Sequence, residues 1–340
     1  MAPTVATERV ASSADAGLAP DELRQIYREM LLTRLLDERM IQLNRAGKAP
    51  FVISCQGQEA AQIGAAFALD MTKDWLLPYY RDLGVCLHAG MTPVEVLLAL
   101  FGKPADPSSG GRQMPAHYGS RRLRIVTGSS PVATQLLHAV GVAYAAKIRR
   151  EESVAFTSCG EGSTSEGDFH EALNFAAIHR LPVIFFIENN HYAISLPAER
   201  QMAVPNVADR AAGYGLPGIA VDGSDPVATY AAMREAVARA RGGDGPTLVE
   251  AKVARFQPHS GDDDDLYRTR EEVAALRQHD PLASFRETLT ARGLWDDTQE
   301  TTLRAQYRAE IDAADEFAES APDADAATLF DHVFAMTNDE

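Results

Sequence analysis

The apolar residues of this chain follow two spacings, one helical and one typical of strands. After a helix-start signature at residues 20–22, they recur at helical spacing from Leu23 to Leu35. Similar patterns predict helices over residues 56–69, 92–101, 134–150, 225–241, 271–278 and 281–292. Short, largely apolar runs at 154–159, 182–187 and 247–253 are instead typical of buried strands. The alternation predicts an α/β fold, with a parallel sheet flanked by helices.

The same pattern divides the chain into four parts. Residues 1–19 are predicted to be a disordered arm, and residues 20–47 an N-terminal helix. Residues 48–295 form the predicted α/β domain, and residues 296–340 an acidic, helical C-terminal extension. Within the domain, residues 103–124 are rich in Gly, Pro and Ser. That is long for a structureless loop, and such loops in compact domains are often functional.

Composition adds three exclusions. A formal net charge of −16 argues against non-specific nucleic-acid binding. The three cysteines, Cys55, Cys86 and Cys159, are widely spaced and odd in number, so neither a disulfide framework nor a zinc site is indicated. No apolar run approaches the roughly 18–20 residues of a membrane span, and the N-terminus lacks the apolar core of a secretory signal. We therefore expect a cytoplasmic protein without a nucleic-acid or membrane partner.

Polar residues follow two of the predicted strands at the points where the strands end. Gly160-Glu161-Gly162 follows the run at 154–159, and Asn189-Asn190 follows the run at 182–187. In an open parallel sheet the carboxyl ends of the strands border the ligand crevice. A carboxylate, an amide oxygen and a Gly-rich turn suit Mg²⁺, with phosphate oxygens and water completing its octahedron.

The helical segment between these two strands carries its own start signal. Asp168 is a good N-cap, and Glu171 three residues later completes a capping-box pattern. Free N–H groups of the loop at 162–165, together with the helix dipole, form a seat for an anion. A diphosphate and its metal could therefore be held at one point. Taken alone, the Gly-Glu-Gly triplet favours an ordinary loop carboxylate, with the Asn pair as a turn, and it is the joint arrangement that points to a site.

Several motifs, in the same order, resemble one known family. The segment from Gly160 to Asn190 looks like the thiamine diphosphate motif G-D-G…N-N, with Glu161 in place of the more common Asp. The longer string GEGSTSEGDFHEALNFAAIHRLPVIFFIENNHYAIS resembles the alpha subunit of the 2-oxo acid dehydrogenase E1 component, in particular the branched-chain (2-oxoisovalerate) type. The likeness extends from about Leu31 to Trp295 and includes PYYRD, GRQMPAH, GSSPVATQ and RFQPHSGDDDDLYR. It implies the thiamine diphosphate-binding fold.

The resemblance implies a cofactor site with assigned residues. Glu161, Asn190 and the backbone carbonyl of Tyr192 would hold Mg²⁺. Val132 would wedge the cofactor into a bent shape. His259, with a pKa near its ordinary value of about 6.5, would be the catalytic residue. The cofactor-binding set implied by the family comprises Tyr80, Arg81, Ser130, Val132, Gly160, Glu161, Gly162, Ser163, Asn190 and His259.

Other matched positions leave alternatives open. Phe51 matches a substrate-pocket aromatic but could be ordinary core, and His117 is a second candidate at the edge of the site. At Glu188 some relatives carry a basic phosphate ligand, so the site here has one cation fewer or takes one from elsewhere. A candidate K⁺ site, which could equally be a satisfied helix cap, comprises Ser129, Pro131, Thr134 and Gln135. The residues expected to order the loop around His259 are Arg255, Asp262, Tyr267 and Arg268.

The implied activity is decarboxylation of a branched-chain 2-oxo acid and transfer of the acyl group to a lipoyl-bearing E2 acyltransferase. The family's beta subunit supplies a carboxylate that this chain lacks, which predicts an α2β2 heterotetramer with Ala-rich segments 60–68 and 139–146 packed between subunits. The alternatives are an alpha subunit specific for pyruvate or acetoin, and a non-catalytic cofactor-binding or scaffolding subunit. A dinucleotide site is disfavoured because the third glycine of G-x-G-x-x-G is missing.

Overall fold

The computed structural model describes residues 15–331. Within them, no helix is long and apolar enough to cross a membrane. The α-helices are α1 Pro20–Arg45, α2 Glu59–Ala66, α3 Leu83–His88, α4 Pro93–Leu100, α5 Thr134–Arg149, α6 Gly167–Ile178, α7 Ala198–Gln201, α8 Pro226–Arg241, α9 Arg270–Arg277, α10 Pro281–Ala291 and α11 Asp297–Ser320. Short 3-10 helices span Glu161–Ser165, Val207–Tyr214 and Ala326–Thr328.

A five-stranded parallel sheet forms the centre of the described chain. Its members are β1 Trp75–Leu77, β2 Ala155–Gly160, β3 Val183–Asn189, β6 Gly218–Asp222 and β7 Thr247–Lys252. The strand order is β1-β2-β3-β7-β6. The three strands predicted from apolar runs are the central three of the sheet, which confirms the parallel α/β prediction. A small antiparallel pair, β4 Tyr192–Ala193 and β5 Leu196–Pro197, follows β3.

The sheet is buried on both faces, which explains why its strands have continuous apolar runs. Alternate residues of a strand point to opposite faces, so neighbours enter different cores. Phe156 and Phe186 belong to the larger core, which they share with α1, α2 and α8. Phe185 and Ile187 belong to the smaller core, which they share with α5 and α6. The carboxyl ends of the strands are therefore held between two packed layers.

The N-terminal and C-terminal helices pack on the larger core. Tyr27 OH and Trp295 Nε1 both donate to Glu300 Oε2, each at 2.9 Å, and so tie α1 to the start of α11. Ala16 and Leu18 lie in the predicted arm 1–19, yet they are buried in this core. The prediction for residues 1–14 lies outside the described residues, as does the end of the predicted extension beyond residue 331.

Two local predictions are wrong. Helix α6 has Glu166, not Asp168, at its N-cap; Asp168 lies in the first turn, and no capping hydrogen bond from either side chain occurs among the described residues. Helix α2 is buried within this chain rather than between subunits, because it packs against α8. The contact is so close that a Cβ on Gly64 would lie 2.4 Å from the carbonyl oxygen of Pro226. Only the second Ala-rich helix, α5, keeps an exposed face.

Candidate functional site

The carboxyl ends of β2 and β3 bring the two sequence motifs together. Gly160 pairs with Glu188 in the parallel register, so the residues that follow each strand are neighbours. Glu161 Oε2 accepts a hydrogen bond from the backbone N–H of Asn190 at 3.1 Å. Glu161 is fully buried, and burial raises the pKa of its carboxyl above the usual value.

Two acceptor oxygens at this point have no partner within the described chain. Glu161 Oε1 and Asn190 Oδ1 are both buried and accept no hydrogen bond. Leaving a buried acceptor unmade costs about 1–3 kcal/mol, so such atoms call for an explanation. Among residues 15–331, no group of three or more His, Cys, Asp or Glu side chains is arranged so that it could hold a metal ion by itself. One carboxylate with amide and carbonyl oxygens is the donor set that Mg²⁺ accepts when a ligand's phosphate oxygens and water complete its shell.

The Gly-rich turn is shaped by contacts that the sequence did not indicate. Residues 161–165 form a 3-10 helix against β4, where a Cβ on Gly162 would lie 2.8 Å from Cβ of Ala193. Gln201 Nε2, from α7, donates to the carbonyls of Glu161 at 2.8 Å and Gly162 at 3.0 Å. The turn therefore has little freedom. Because Gln201 lies about forty residues away in the chain, no local pattern could have identified it.

The hairpin that follows Asn190 carries unusual backbone conformations. His191 and Ile194 have φ values of 69° and 57°, in the left-handed region that a β-branched residue such as Ile rarely adopts. Tyr192 lies between them, and its hydroxyl donates to Glu272 Oε1 at 2.6 Å. Strain of this kind persists only where the surroundings enforce it, and it clusters at functional sites.

Arg81 and His259 form a second polar pair in the pocket. Arg81 Nη2 lies 3.0 Å from His259 Nδ1 and 2.8 Å from its carbonyl oxygen, while Nη1 donates to the carbonyl of Ser54 at 2.6 Å. An arginine can only donate, so Nδ1 is the acceptor and the neutral ring carries its proton on Nε2. Burial and the charges of Arg81 and Arg255 lower the pKa of His259 to about 4. The assumption of an ordinary pKa is wrong for this environment.

These groups line one cavity of about 380 Å³. Fourteen positions singled out from the sequence lie on its wall: Phe51, Tyr80, Arg81, His117, Ser130, Val132, Gly160, Glu161, Gly162, Ser163, Asn190, Tyr192, Arg255 and His259. The sequence analysis missed five further lining residues, which are Ile53, Tyr79, Met114, Ala193 and Ile194. The cavity thus joins motifs from separate stretches of the chain, although contact with a cavity does not assign a role.

The candidate K⁺ residues lie beside this cavity. Ser129 and Gln135 line a smaller adjoining space. Ser129 Oγ donates to the carbonyl of Pro131 at 3.1 Å, and Gln135 Nε2 donates to the carbonyl of Ser158 at 2.7 Å. Thr134 is the first residue of α5. Both the K⁺ interpretation and the interpretation as satisfied polar groups remain compatible with these contacts.

His117 reaches the cavity wall from the long loop at 103–124. Its Nδ1 lies 2.9 Å from the carbonyl of Met114, which can only accept, so Nδ1 carries a proton. Its Nε2 lies 2.8 Å from Ser130 Oγ. Val132 is followed by Ala133 at φ 69°, another residue in the left-handed region.

The loop after β7 is ordered by a different carboxylate than expected. Asp262 is exposed, and among the described residues its side chain has no hydrogen bond or ion pair, which corrects the prediction for this position. Asp263 accepts from the backbone N–H of His259 at 2.8 Å and from Tyr267 OH at 2.5 Å. Asp265 forms an ion pair with Arg268 at 2.7 Å. The network thus holds His259 through its own backbone.

Glu188 does not line the cavity, although its partner Tyr79 does. Its Oε2 accepts from Tyr79 OH at 3.0 Å and from Gln62 Nε2 at 3.1 Å. Burial, and then the neighbouring Asp82 carboxyl, raise the pKa of Glu188 well above its usual value. Glu188 is therefore a framework group that supports the segment carrying Arg81, whose carbonyl also accepts from Gln62 at 2.9 Å.

The chain is similar in sequence to alpha subunits of 2-oxo acid dehydrogenases. It is 54% identical over 320 residues to the 2-oxoisovalerate dehydrogenase subunit alpha of Bacillus subtilis, covering 94% of this chain and 97% of that protein. It is 45% identical over 322 residues to the 3-methyl-2-oxobutanoate dehydrogenase subunit alpha of Mycobacterium tuberculosis, covering 94% and 84%. The pyruvate dehydrogenase E1 component subunit alpha of Staphylococcus aureus is 40% identical over 299 residues, covering 87% and 78%.

The family model described as "Dehydrogenase E1 component" matches residues 27–327, which include every element of the sheet and the whole cavity wall. The resemblance inferred from the motifs is thereby confirmed, and the chain belongs to the dehydrogenase E1 component family.

Proposed function

We propose that this chain is the alpha subunit of an E1 enzyme that decarboxylates branched-chain 2-oxo acids and transfers the acyl group to a lipoyl-bearing E2. Its family depends on thiamine diphosphate. The observation that carries the proposal is the cavity at the carboxyl ends of β2 and β3, in which buried Glu161 Oε1 and Asn190 Oδ1 both lack a partner within the described chain.

The residues of the cavity suit the cofactor and its metal. We infer that Glu161, Asn190 and the backbone carbonyl of Tyr192 hold Mg²⁺, since these are hard oxygen ligands. Arg81 is a permanent positive charge close to the same turn and suits a diphosphate. The remaining members of the proposed cofactor set, by their place on the cavity wall, are Tyr80, Ser130, Val132, Gly160, Gly162 and Ser163.

When bound, thiamine diphosphate supplies the electron sink for the electrons left by departing carbon dioxide. The protein supplies position and proton control. His259 Nε2–H is a donor on the cavity wall, and the bond from Arg81 to Nδ1 fixes its tautomer. A second candidate in the same wall is His117, whose Nε2 is oriented by Ser130.

The proposed substrate class rests on similarity and on the apolar part of the cavity. The two relatives at 54% and 45% identity are named for 2-oxoisovalerate and 3-methyl-2-oxobutanoate, whereas the relative named for pyruvate is at 40%. Phe51, Ile53, Met114 and Ile194 contribute apolar surface to the cavity. Such surface favours an aliphatic side chain over the methyl group of pyruvate.

We propose an α2β2 assembly with a beta subunit. The exposed apolar side chains on α5 and α6 support this proposal, because they are typical of a surface that another subunit covers. Tyr144, Ile148, Phe175 and Ile178 are 40%, 66%, 41% and 68% exposed. The rings of Tyr144 and Phe175 lie 5.9 Å apart, so the exposed apolar side chains of the two helices meet at this pair. Surfaces of this kind mark interaction sites. A K⁺ ion at Ser129, Pro131, Thr134 and Gln135 and the cytoplasmic location remain predictions.

The test is co-expression with the beta subunit, followed by assay of carbon dioxide release. We expect release to require both thiamine diphosphate and Mg²⁺. We also expect the branched-chain substrate 3-methyl-2-oxobutanoate to be preferred over pyruvate, with a ratio of kcat/KM values of about ten or more. No release above that of the beta subunit alone would favour a non-catalytic scaffolding subunit. A preference for pyruvate would leave the chemistry standing and overturn the substrate assignment.

A further inference from the structure

Arg255 is a buried arginine of the cavity wall, and some of its N–H groups have no hydrogen-bond partner within the described chain. Its side chain is almost completely buried, and its Nη2 donates to the carbonyl of Ile194 at 2.9 Å and to Tyr267 OH at 2.6 Å. Its Nε and Nη1 are buried and have no hydrogen-bond partner among residues 15–331. The loop-ordering role expected from the sequence therefore uses only one of its three nitrogens.

Within the described chain, the guanidinium also has no carboxylate at ion-pair distance, and Asp265 and Glu161 act on it only from further away. No carboxylate of the described chain forms an ion pair with Arg255, whereas its neighbour Arg268 is paired with Asp265. Burial, and then the positive charge of Arg81, lower the pKa of Arg255, but arginine remains charged in proteins. A buried charge without a partner raises the free energy of the folded protein. A molecule that neutralises this charge removes that cost and therefore binds more tightly.

The open groups of the cavity are of two kinds. Glu161 Oε1 and Asn190 Oδ1 are open acceptors, while Arg255 Nε and Nη1 are open donors, and all four atoms belong to residues of one wall. The acceptors and donors do not satisfy one another. A cation at the acceptors would leave Arg255 unsatisfied. An anionic oxygen is the group that would complete it.

The rigid setting of Arg255 favours binding over a flexible role. Its guanidinium carbon lies 5.8 Å from the centre of the Tyr192 ring and 5.7 Å from that of Tyr267. These contacts fix the plane of the group before any ligand arrives. A preorganised donor loses little entropy on binding, which strengthens the interaction.

We propose that Arg255 is an anion ligand of this cavity, the second cation beside Arg81, and that it provides the positive charge that Glu188 does not. The inference rests on the proposed function. The anionic oxygen belongs to the cofactor diphosphate or to the carboxylate of the 2-oxo acid, which share this chemistry. Arg255 would thus bind as well as order its loop.

The experiment uses the chain co-expressed with its beta subunit and compares Arg255→Gln, Arg255→Lys and wild type. Arg277→Gln is the matched control, because Arg277 is an arginine outside the cavity that donates to the carbonyl of Phe256. Calorimetry gives the Kd of thiamine diphosphate with Mg²⁺ and the Kd of Mg²⁺-pyrophosphate. Assays at saturating cofactor give the KM of the branched-chain substrate.

For Arg255→Gln we expect the Kd of the anionic ligand, or the KM of the substrate, to rise by about 10–100-fold. This is the range for the loss of a hydrogen bond to a charged group. If both calorimetric Kd values rise and KM does not, the anion is the diphosphate. If KM rises alone, it is the substrate carboxylate. Arg255→Lys should recover at least part of the loss because it keeps the charge, and Arg277→Gln should change neither quantity.

The proposal is overturned if Arg255→Gln leaves both Kd values and KM unchanged. It is also overturned if Arg255→Lys and Arg255→Gln are equally impaired, since the geometry of the loop contact, not the charge, would then be what matters. A wild-type assembly that takes up no thiamine diphosphate would instead overturn the proposed function. Pyrophosphate binding would still decide the role of Arg255 in that case.

Discussion

Arg34 and Arg255 are both buried arginines, yet they belong to different kinds of environment. Arg34 Nε and Nη2 donate to Glu59 at 2.5 and 3.1 Å, and its Nη1 and Nη2 donate to Asp280 at 2.7 and 2.9 Å. All its nitrogens are satisfied, so it joins α1 to α2 and to the N-cap of α10. Arg255 lines a cavity, and two of its nitrogens have no hydrogen-bond partner in the part of the chain that the structure describes. Burial and charge are common to both. What distinguishes a binding group from a framework group is therefore the presence of nitrogens without a hydrogen-bond partner.

Of the variants considered, Glu161→Gln should have the largest effect, a loss of cofactor affinity. It tests whether groups of the cavity that lack a partner within the described chain are binding groups. We expect the affinity for thiamine diphosphate in Mg²⁺ to fall by about 100-fold or more, because even residues that only support metal ligands contribute 10–100-fold. Thermal stability without ligand should be unchanged or higher, because the substitution removes a carboxyl whose charged form burial disfavours. Calorimetry and thermal melts measure the two quantities.

Glu166→Gln is the control for that variant, because Glu166 is an exposed carboxylate at the end of the same turn. It should leave both quantities unchanged. If Glu161→Gln bound the cofactor as wild type does, the metal assignment would be wrong.

The next effect tests the framework side. Glu59→Gln removes the charge from a buried pair in which Glu59 also accepts from the backbone N–H of Gly57 at 2.9 Å. Removing one partner of a buried ion pair costs about 3–5 kcal/mol, so the free energy of unfolding should fall by that order. Denaturant titration followed by circular dichroism measures it. The Kd of the cofactor for the folded protein should stay within about twofold of the wild-type value, because Arg34 lies outside the cavity. A large change in Kd with normal stability would erase the distinction between Arg34 and Arg255.

The smallest effect is a pH dependence at His259, whose pKa of about 4 lies below the ordinary value of 6.5. The unfolded chain takes up a proton near pH 6.5 while the folded ring stays neutral. The stability contributed by the neutral ring is therefore complete above about pH 6.5 and is lost as pH falls towards 4. The ring is partly exposed, so we expect about 1 kcal/mol.

Melting temperatures of wild type and His259→Gln between about pH 7 and pH 4.5 check this expectation. The wild type should lose more stability on acidification than the variant. Parallel curves would mean that the ring does not experience the charges of Arg81 and Arg255.

The central part of the fold could be predicted from the sequence because its signals are local. The runs that became β2, β3 and β7 are apolar throughout most of their length, as buried parallel strands must be. The edge strands β1 and β6 were not predicted, since β1 has three residues and neither has a distinctive pattern. The N-cap of α6 was assigned too late in the chain because Asp168 has the residue type of a cap, whereas the chain turns at Glu166.

The residues that form the site were predicted better than their hydrogen-bond partners and pKa values. Resemblance identified residues that line one cavity, but it could not indicate that Gln201 holds the turn or that Asp263 replaces Asp262, because both depend on side chains that meet only after folding. The lowered pKa of His259 likewise arises in part from Arg81, which is 178 residues away in the chain.

The sequence by itself determined the α/β class, the two strand ends that carry the chemistry and the family, since periodicity and motif spacing are properties of neighbouring residues. Only the tertiary structure decided which buried polar atoms remain open. That depends on the balance of donors and acceptors brought together from distant segments, and it is this balance that distinguishes Arg255 from Arg34.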